Sequence, residues 1–232
     1  MSATRKQARV AGLLYLLMGL PAPFSLIYIP RILIVRGDAS ATAANILAHE
    51  TLFRAGIAGE LLSGIAFIFL VMALYRLFSS VNKAHASLMV MLVLVAVTIG
   101  FVNVVNNAVA VALFRGGDFL PVFDKPQRDA LGMLFLGLHR QGLVVAQIFW
   151  GLWLFPFGVL VIRSGFIPRI IGVLLIINGF AYVAASLTSL LVPSYASVVT
   201  LAVLPALLGE LWIILWLLIK GVRVQPLVGT AH

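Results

Sequence analysis

Glu60 and Glu210 are the residues in this chain whose type and setting most favour chemistry. Each stands inside a long apolar run, and an acid at the centre of a spanning helix costs about 2.5 to 3.5 kcal/mol on insertion scales. Such a group faces the protein interior or a wet cavity, where it serves ion paths, proton relays or ligand sites. Asn103, Asn106 and Asn107 follow an i, i+3, i+4 pattern, which sets three amides on one helix face. Gln147, Asn178, Tyr182 and His139 add polar groups to neighbouring apolar runs. The expectation is an outward-opening polar pocket lined by Glu60, Asn103, Asn106, Asn107, His139, Gln147, Asn178 and Glu210. Its occupant would be a small molecule, an ion or a lipid.

Plainer roles compete with this one. Asn and Gln in spanning helices often act as interhelical glue worth about 0.6 kcal/mol each. Glu60 and Glu210 could equally be buried carboxyls bonded to Asn, Tyr or Arg. His139 and Arg140 mark the outer end of a span, which suits interfacial anchoring. A sharper version has Arg140 or Arg54 reaching a glutamate to neutralise it. An intramembrane enzyme would use Glu60 or Glu210 as general acid/base with His139 as partner. It is the less favoured reading, because GxSG, EExxxR and GxGD are all absent, and Ser63 in Leu61-Leu62-Ser63-Gly64 does not replace them. A structural or accessory subunit is the remaining alternative.

Cofactor chemistry is largely excluded. Cys is absent, which removes disulfides, iron–sulfur clusters and thiolate sites. No GxxxxGK[ST] occurs, and Lys6, Lys83, Lys125 and Lys220 all flank apolar runs, too far out for a Schiff base at mid-membrane. Of four histidines only His139 approaches a span, which does not suit a haem held between two histidines. A His–Glu–Glu metal site with His139 has no supporting ligand spacing, so no metal is expected. Trp150, Trp153, Trp212 and Trp216 lie mid-helix, where packing is the ordinary role.

The elements that position these side chains follow from composition. The chain has 232 residues, 62% hydrophobic and 10% charged, with a mean hydropathy of +1.14. A soluble domain is about half apolar and about one-quarter charged, so the solvent here is a bilayer. Six segments reach the roughly 20 apolar residues of a spanning helix: 10–29, 52–78, 88–114, 142–162, 167–191 and 198–219. They are continuous rather than alternating, which excludes a β-barrel. The expected fold is all-α, a single-domain bundle of six transmembrane helices. Pro21, Pro23, Pro156 and Pro205 fall within spans and predict kinks. Arg5, Lys6 and Arg9 before an apolar run resemble a signal peptide, but apolar character resumes from Phe24 to Ile29, giving a retained anchor helix.

The positive-inside rule orients the bundle. With the N-terminus inside, Arg5, Lys6, Arg9, Arg76, Lys83, Arg163, Arg169, Lys220 and Arg223 share the inner side. Arg31, Arg36, Arg54, Arg115, Lys125, Arg128 and Arg140 lie outside, together with Asp38, Glu50, Asp118, Asp124 and Asp129. The inner loops are short and free of acids, which places both termini in the cytoplasm. The net charge of +9 is spread over helix ends with no basic stripe, so lipid rather than nucleic acid is the expected partner. Two outer loops carry short helices: Ala41–His49 with Asp38 or Ser40 as N-cap, and Gln127–Leu138, opened by Pro126 and Asp129. The second of these lies on the membrane surface or runs straight into the fourth span.

An internal repeat is also legible. Arg9, Gly12 and Gly19 match Arg169, Gly172 and Gly179 in spacing, and Gly59-Glu60-Leu61 matches Gly209-Glu210-Leu211. Gln147, Gly151 and Arg163 follow the spacing of Glu60, Gly64 and Arg76, which suggests three helical hairpins. Val10-Ala-Gly-Leu-Leu-Tyr15, Gly37-Asp-Ala-Ser-Ala-Thr-Ala-Ala-Asn-Ile-Leu47, Leu74-Tyr-Arg-Leu77 and Phe135-Leu-Gly-Leu-His139 are further ordered strings. With Arg163-Ser-Gly-Phe-Ile-Pro-Arg-Ile-Ile-Gly172 and Leu204-Pro-Ala-Leu-Leu-Gly-Glu-Leu211, they resemble the bacterial membrane family filed as domain of unknown function 4386. The resemblance implies one six-helix domain in a bacterial inner membrane. It implies no activity, and it draws attention to His139 and Glu210 within the shared strings.

Overall fold

The computed structural model describes residues 2–117 and 121–221. Asp118 and Arg223, which the sequence assigns to an outer loop and an inner terminus, lie outside the described residues. Every regular element among the described residues is helical. Helix α1 spans Ser2–Gly19, and after a turn at Leu20 a π-helical stretch, Pro23–Tyr28, leads into α2, Ile29–Leu33. The widened turn has a clear cause. Pro21 and Pro23 supply no N–H, and the Ile29 N–H reaches back five residues to the Phe24 carbonyl.

The remaining helices are α3 (Ala39–Ala48), α4 (Glu50–Phe78), α5 (Lys83–Arg115), α6 (Lys125–Leu152), α7 (Leu154–Ser164) and α8 (Arg169–Leu191). A single 3₁₀ turn, Pro193–Tyr195, then precedes α9 (Ala196–Val203), a second 3₁₀ segment (Leu204–Leu207) and α10 (Leu208–Ile219). Asp38 caps α3, its Oδ1 accepting the Ala41 N–H at 2.8 Å. Asp124 opens α6 in a reciprocal cap: its Oδ1 accepts the Gln127 N–H at 2.8 Å, and its own N–H donates to Gln127 Oε1 at 3.0 Å.

Five stretches are long and apolar enough to cross a membrane: Arg5–Leu33, Glu50–Phe78, Lys83–Arg115, Lys125–Ser164 and Arg169–Leu191. They contain the first four predicted spans with longer ends, and the fifth, predicted at 167–191, starts two residues later at Arg169. The outer helix expected at Gln127–Leu138 runs directly into the fourth span, and α6 and α7 are separated only at Trp153. Pro156 explains that break, since it cannot donate to the carbonyl four residues back. The segment predicted as a sixth span, 198–219, is not one helix. Pro205 falls in the 3₁₀ segment that joins α9 to α10, and the 12 residues of α10 by themselves rise about 18 Å.

The chain forms two compact units. One comprises Met1–Leu16, Phe69–Leu94 and Ile148–His232. Its core holds Tyr15, Leu74, Phe78, Trp153, Phe157 and Leu175, all fully or almost fully buried. Helices α7 and α8 form its tightest pair. A Cβ on Gly158 would stand 2.6 Å from the Gly172 carbonyl oxygen, and one on Gly172 equally close to that of Gly158; just before α7, at the end of α6, a Cβ on Gly151 would stand 2.5 Å from the Gly179 carbonyl oxygen. Only hydrogen atoms fit there, so the two backbones touch. Gly165, at φ 70°, closes α7 in the left-handed region that glycine tolerates, and Pro168 precedes α8.

The other unit comprises Leu17–Ile68 and Val95–Gln147. Ile29, Leu33, Ala43, Ile46, Phe53, Ala110, Val111, Phe114 and Leu136 form its apolar cluster. The Phe114 ring lies over Gly132, where a Cβ would meet it at 2.2 Å. Across both units Leu20, Ile27, Phe69, Val102, Phe180 and Leu201 are each at least 60% exposed, a surface that suits lipid and not water. The glycines matched by the repeat agree at one pair and differ at the other. Gly12 packs on the Leu218 backbone as Gly172 packs on Gly158, whereas Gly19 has nothing within 4 Å and Gly179 lies against Gly151.

Candidate functional site

Hydrogen bonds gather most of the sequence-predicted polar residues into two groups, one in each unit. The first group joins α4, α5 and α6. Glu60 on α4 and His139 on α6 approach to 3.4 Å between Oε2 and Nε2, with side chains 15% and 10% exposed. The other ring nitrogen, Nδ1, lies 3.2 Å from Asn103 Nδ2 and 3.3 Å from the Asn103 carbonyl oxygen on α5. Two ring states satisfy this geometry. In a neutral ring Nδ1 accepts from the Asn103 amide while Nε2–H points at Glu60; in an imidazolium Nδ1–H donates to the Asn103 carbonyl instead.

Asn103 is the hub of this group. Its Nδ2 donates to the His139 carbonyl at 2.8 Å, and its Oδ1 accepts from Asn106 Nδ2 at 3.1 Å. A Cβ on Gly142 would fall 2.0 Å from Asn103 Oδ1, so the glycine opens the space the amide occupies. Asn107 is buried on the same face, as the i, i+4 spacing requires. Gln147 is half-buried on α6 and joins neither group.

The second group joins α1, α8 and α10. Glu210 lies in the first turn of α10. Its Oε2 accepts from the Tyr15 hydroxyl at 2.5 Å, and its Oε1 accepts from Asn178 Nδ2 at 2.9 Å. The Tyr182 hydroxyl, one helical turn beyond Asn178, lies beside this carboxyl. Aromatic packing fixes both phenols. The Tyr15 ring is 5.9 Å from that of Trp153, which stacks on Phe157 at 5.2 Å, and Tyr182 meets Trp150 edge-on at 6.4 Å.

Several residues take roles other than those expected. Arg54 does not reach Glu60; it pairs with Glu50 at 2.5 Å, and Arg115 joins the same carboxylate at 2.7 Å. Arg140 is exposed, and the partner of Glu60 is His139, which is buried rather than interfacial. Trp153 is core, as expected, but Trp212 is 58% exposed. Sequence reasoning missed Tyr15 and Gly142. Tyr15 carried a signal, since a tyrosine inside an apolar span needs a partner for its hydroxyl. Gly142 carried none, because its role is the space it leaves. Among the described residues no three His, Asp or Glu side chains gather as a metal site.

A family model described as a domain of unknown function (DUF4386) matches residues 10–221. No curated protein and no solved structure matches the chain.

Proposed function

The chain belongs to the family of the domain of unknown function DUF4386, and on that premise we propose that it binds or passes a small ligand, ion or lipid within its helices. The setting we infer is a bacterial inner membrane, with both termini cytoplasmic. Five apolar crossing-length helices support the membrane part of this reading. The observation that carries the binding part is the Glu60–His139 approach at 3.4 Å, backed by Asn103 and Asn106. A carboxyl, an imidazole and two amides offer both donors and acceptors, which is more than helix glue requires. Mild-detergent purification followed by native mass spectrometry tests it. A stoichiometric small molecule or lipid retained by the wild-type chain and lost from Glu60→Gln supports binding. Identical spectra from the two chains reduce the group to a structural device.

Acid–base chemistry is the second reading, and the same distance favours it. Glu60 and His139 are close enough to exchange a proton directly or through one water. A substrate that both chains bind but only the wild type converts would select this reading.

A further inference from the structure

We propose that Glu210, Asn178, Tyr15 and Tyr182 form a binding site for a small monovalent metal cation such as sodium. The proposal deepens the binding reading by naming an occupant, and rests on it only in treating the protein as a membrane-embedded binder. Charge comes first. Glu210 accepts hydrogen bonds from Tyr15 and Asn178, with the Tyr182 hydroxyl beside the same carboxyl, and all three groups are neutral. Among the described residues no Lys, Arg or His forms an ion pair with it. Glu210 is half-buried within an apolar helix, and a carboxylate withdrawn from water in this way is otherwise paired with a cation, because an isolated charge in a low-dielectric interior is expensive.

The second observation is independent of the acid. Asn178 is fully buried, and its Oδ1 has no hydrogen-bond partner among the described residues. Turning the amide over would set Oδ1 against a carboxylate oxygen, so the donor end stays on Glu210 and an acceptor is left over. An unsatisfied buried oxygen beside an uncompensated carboxylate calls for a positive occupant.

The donor set defines which one. Glu210 offers two carboxylate oxygens, Asn178 an amide oxygen, and Tyr15 and Tyr182 their hydroxyl oxygens. All are hard ligands, with no sulfur or imidazole among them. A single carboxylate balances one positive charge, whereas a divalent ion would leave excess charge buried. The backbone adds to the set. The 3₁₀ segment Leu204–Leu207, which contains Pro205, immediately precedes α10 and packs on α8, which carries Asn178 and Tyr182. A broken helix beside a carboxylate is how membrane proteins expose carbonyl oxygens to ions.

The test uses the full chain in mild detergent at fixed pH and ionic strength. Thermal unfolding is followed by tryptophan fluorescence in sodium, lithium, potassium and choline chloride. Sodium should raise Tm saturably over choline, by about 3 to 6 °C at ten times its Kd. Glu210→Gln and Asn178→Leu should each abolish the sodium-specific rise, and Glu50→Gln should keep it. Tyr15→Phe, which spares the carboxylate, should move the sodium midpoint upward, and serves if Glu210→Gln does not fold. Equal wild-type Tm in all four chlorides overturns the proposal and makes a proton the occupant, as does a sodium rise that survives Glu210→Gln. A sodium response without any ligand sensitive to Glu60→Gln removes the broader binding reading and leaves this one. The reverse pattern removes this one alone.

Discussion

His139 is held between Glu60 and Asn103, one ring nitrogen 3.4 Å from the carboxylate and the other 3.2 Å from the amide. Residues so connected are energetically coupled. A double-mutant cycle on Glu60→Gln and His139→Gln, read by unfolding in detergent, should give a coupling energy of about 0.5 to 2 kcal/mol. Strictly additive costs would mean that the pair does not interact.

Gly142 tests the same group from its packing side. Gly142→Ala places a methyl on Asn103 Oδ1 and should destabilise the chain by about 1 to 3 kcal/mol. Adding Asn103→Ala removes the clashing amide, so the double variant should cost less than the sum of the two. Thermal or denaturant unfolding of all four chains checks this.

The α7–α8 contact predicts a contrast between glycines. Gly158→Leu drives a side chain into the Gly172 carbonyl and should lower stability by about 1 to 3 kcal/mol or more. Gly19→Ala meets nothing within 4 Å, and should leave stability unchanged or raise it by up to about 1 kcal/mol. Unfolding midpoints in one detergent compare the two.

Tyr15→Phe keeps the ring against Trp153 and deletes one donor to Glu210. The expected cost is about 1 to 2 kcal/mol, with tryptophan emission largely unchanged. A loss of cooperative unfolding together with shifted emission would instead mean that the ring packing had failed.

Asp38→Ala removes the cap of α3. Amide exchange should accelerate across Ala39–Ala48 as that helix loses about 0.5 to 2 kcal/mol of local stability. Exchange in the crossing helices should be unaffected.

The sequence made the spans legible because apolar length and membrane thickness are tied by simple geometry. It also made Pro205 legible as a kink, but not the change from α to 3₁₀ winding at Leu204–Leu207, since that depends on how neighbours support the freed backbone. Glu60 and Glu210 stood out by their cost in lipid, and both prove to be hydrogen-bonded or closely paired. Their partners were harder to read. The i, i+3, i+4 pattern set the asparagines on one face, yet nothing in it said that His139 would turn inward while Arg140 turned out. Helix rotation decides this, and it is fixed by packing such as the fit of Asn103 over Gly142.

The hydrogen bond from Tyr15 to Glu210 closes a separation of 195 residues. Chains grow at about 5 to 20 residues per second, so the first helix waits roughly 10 to 40 seconds before its acceptor has been synthesised. During that interval a buried hydroxyl has no native partner. Biogenesis of this protein therefore has a late step that brings α10 to α1.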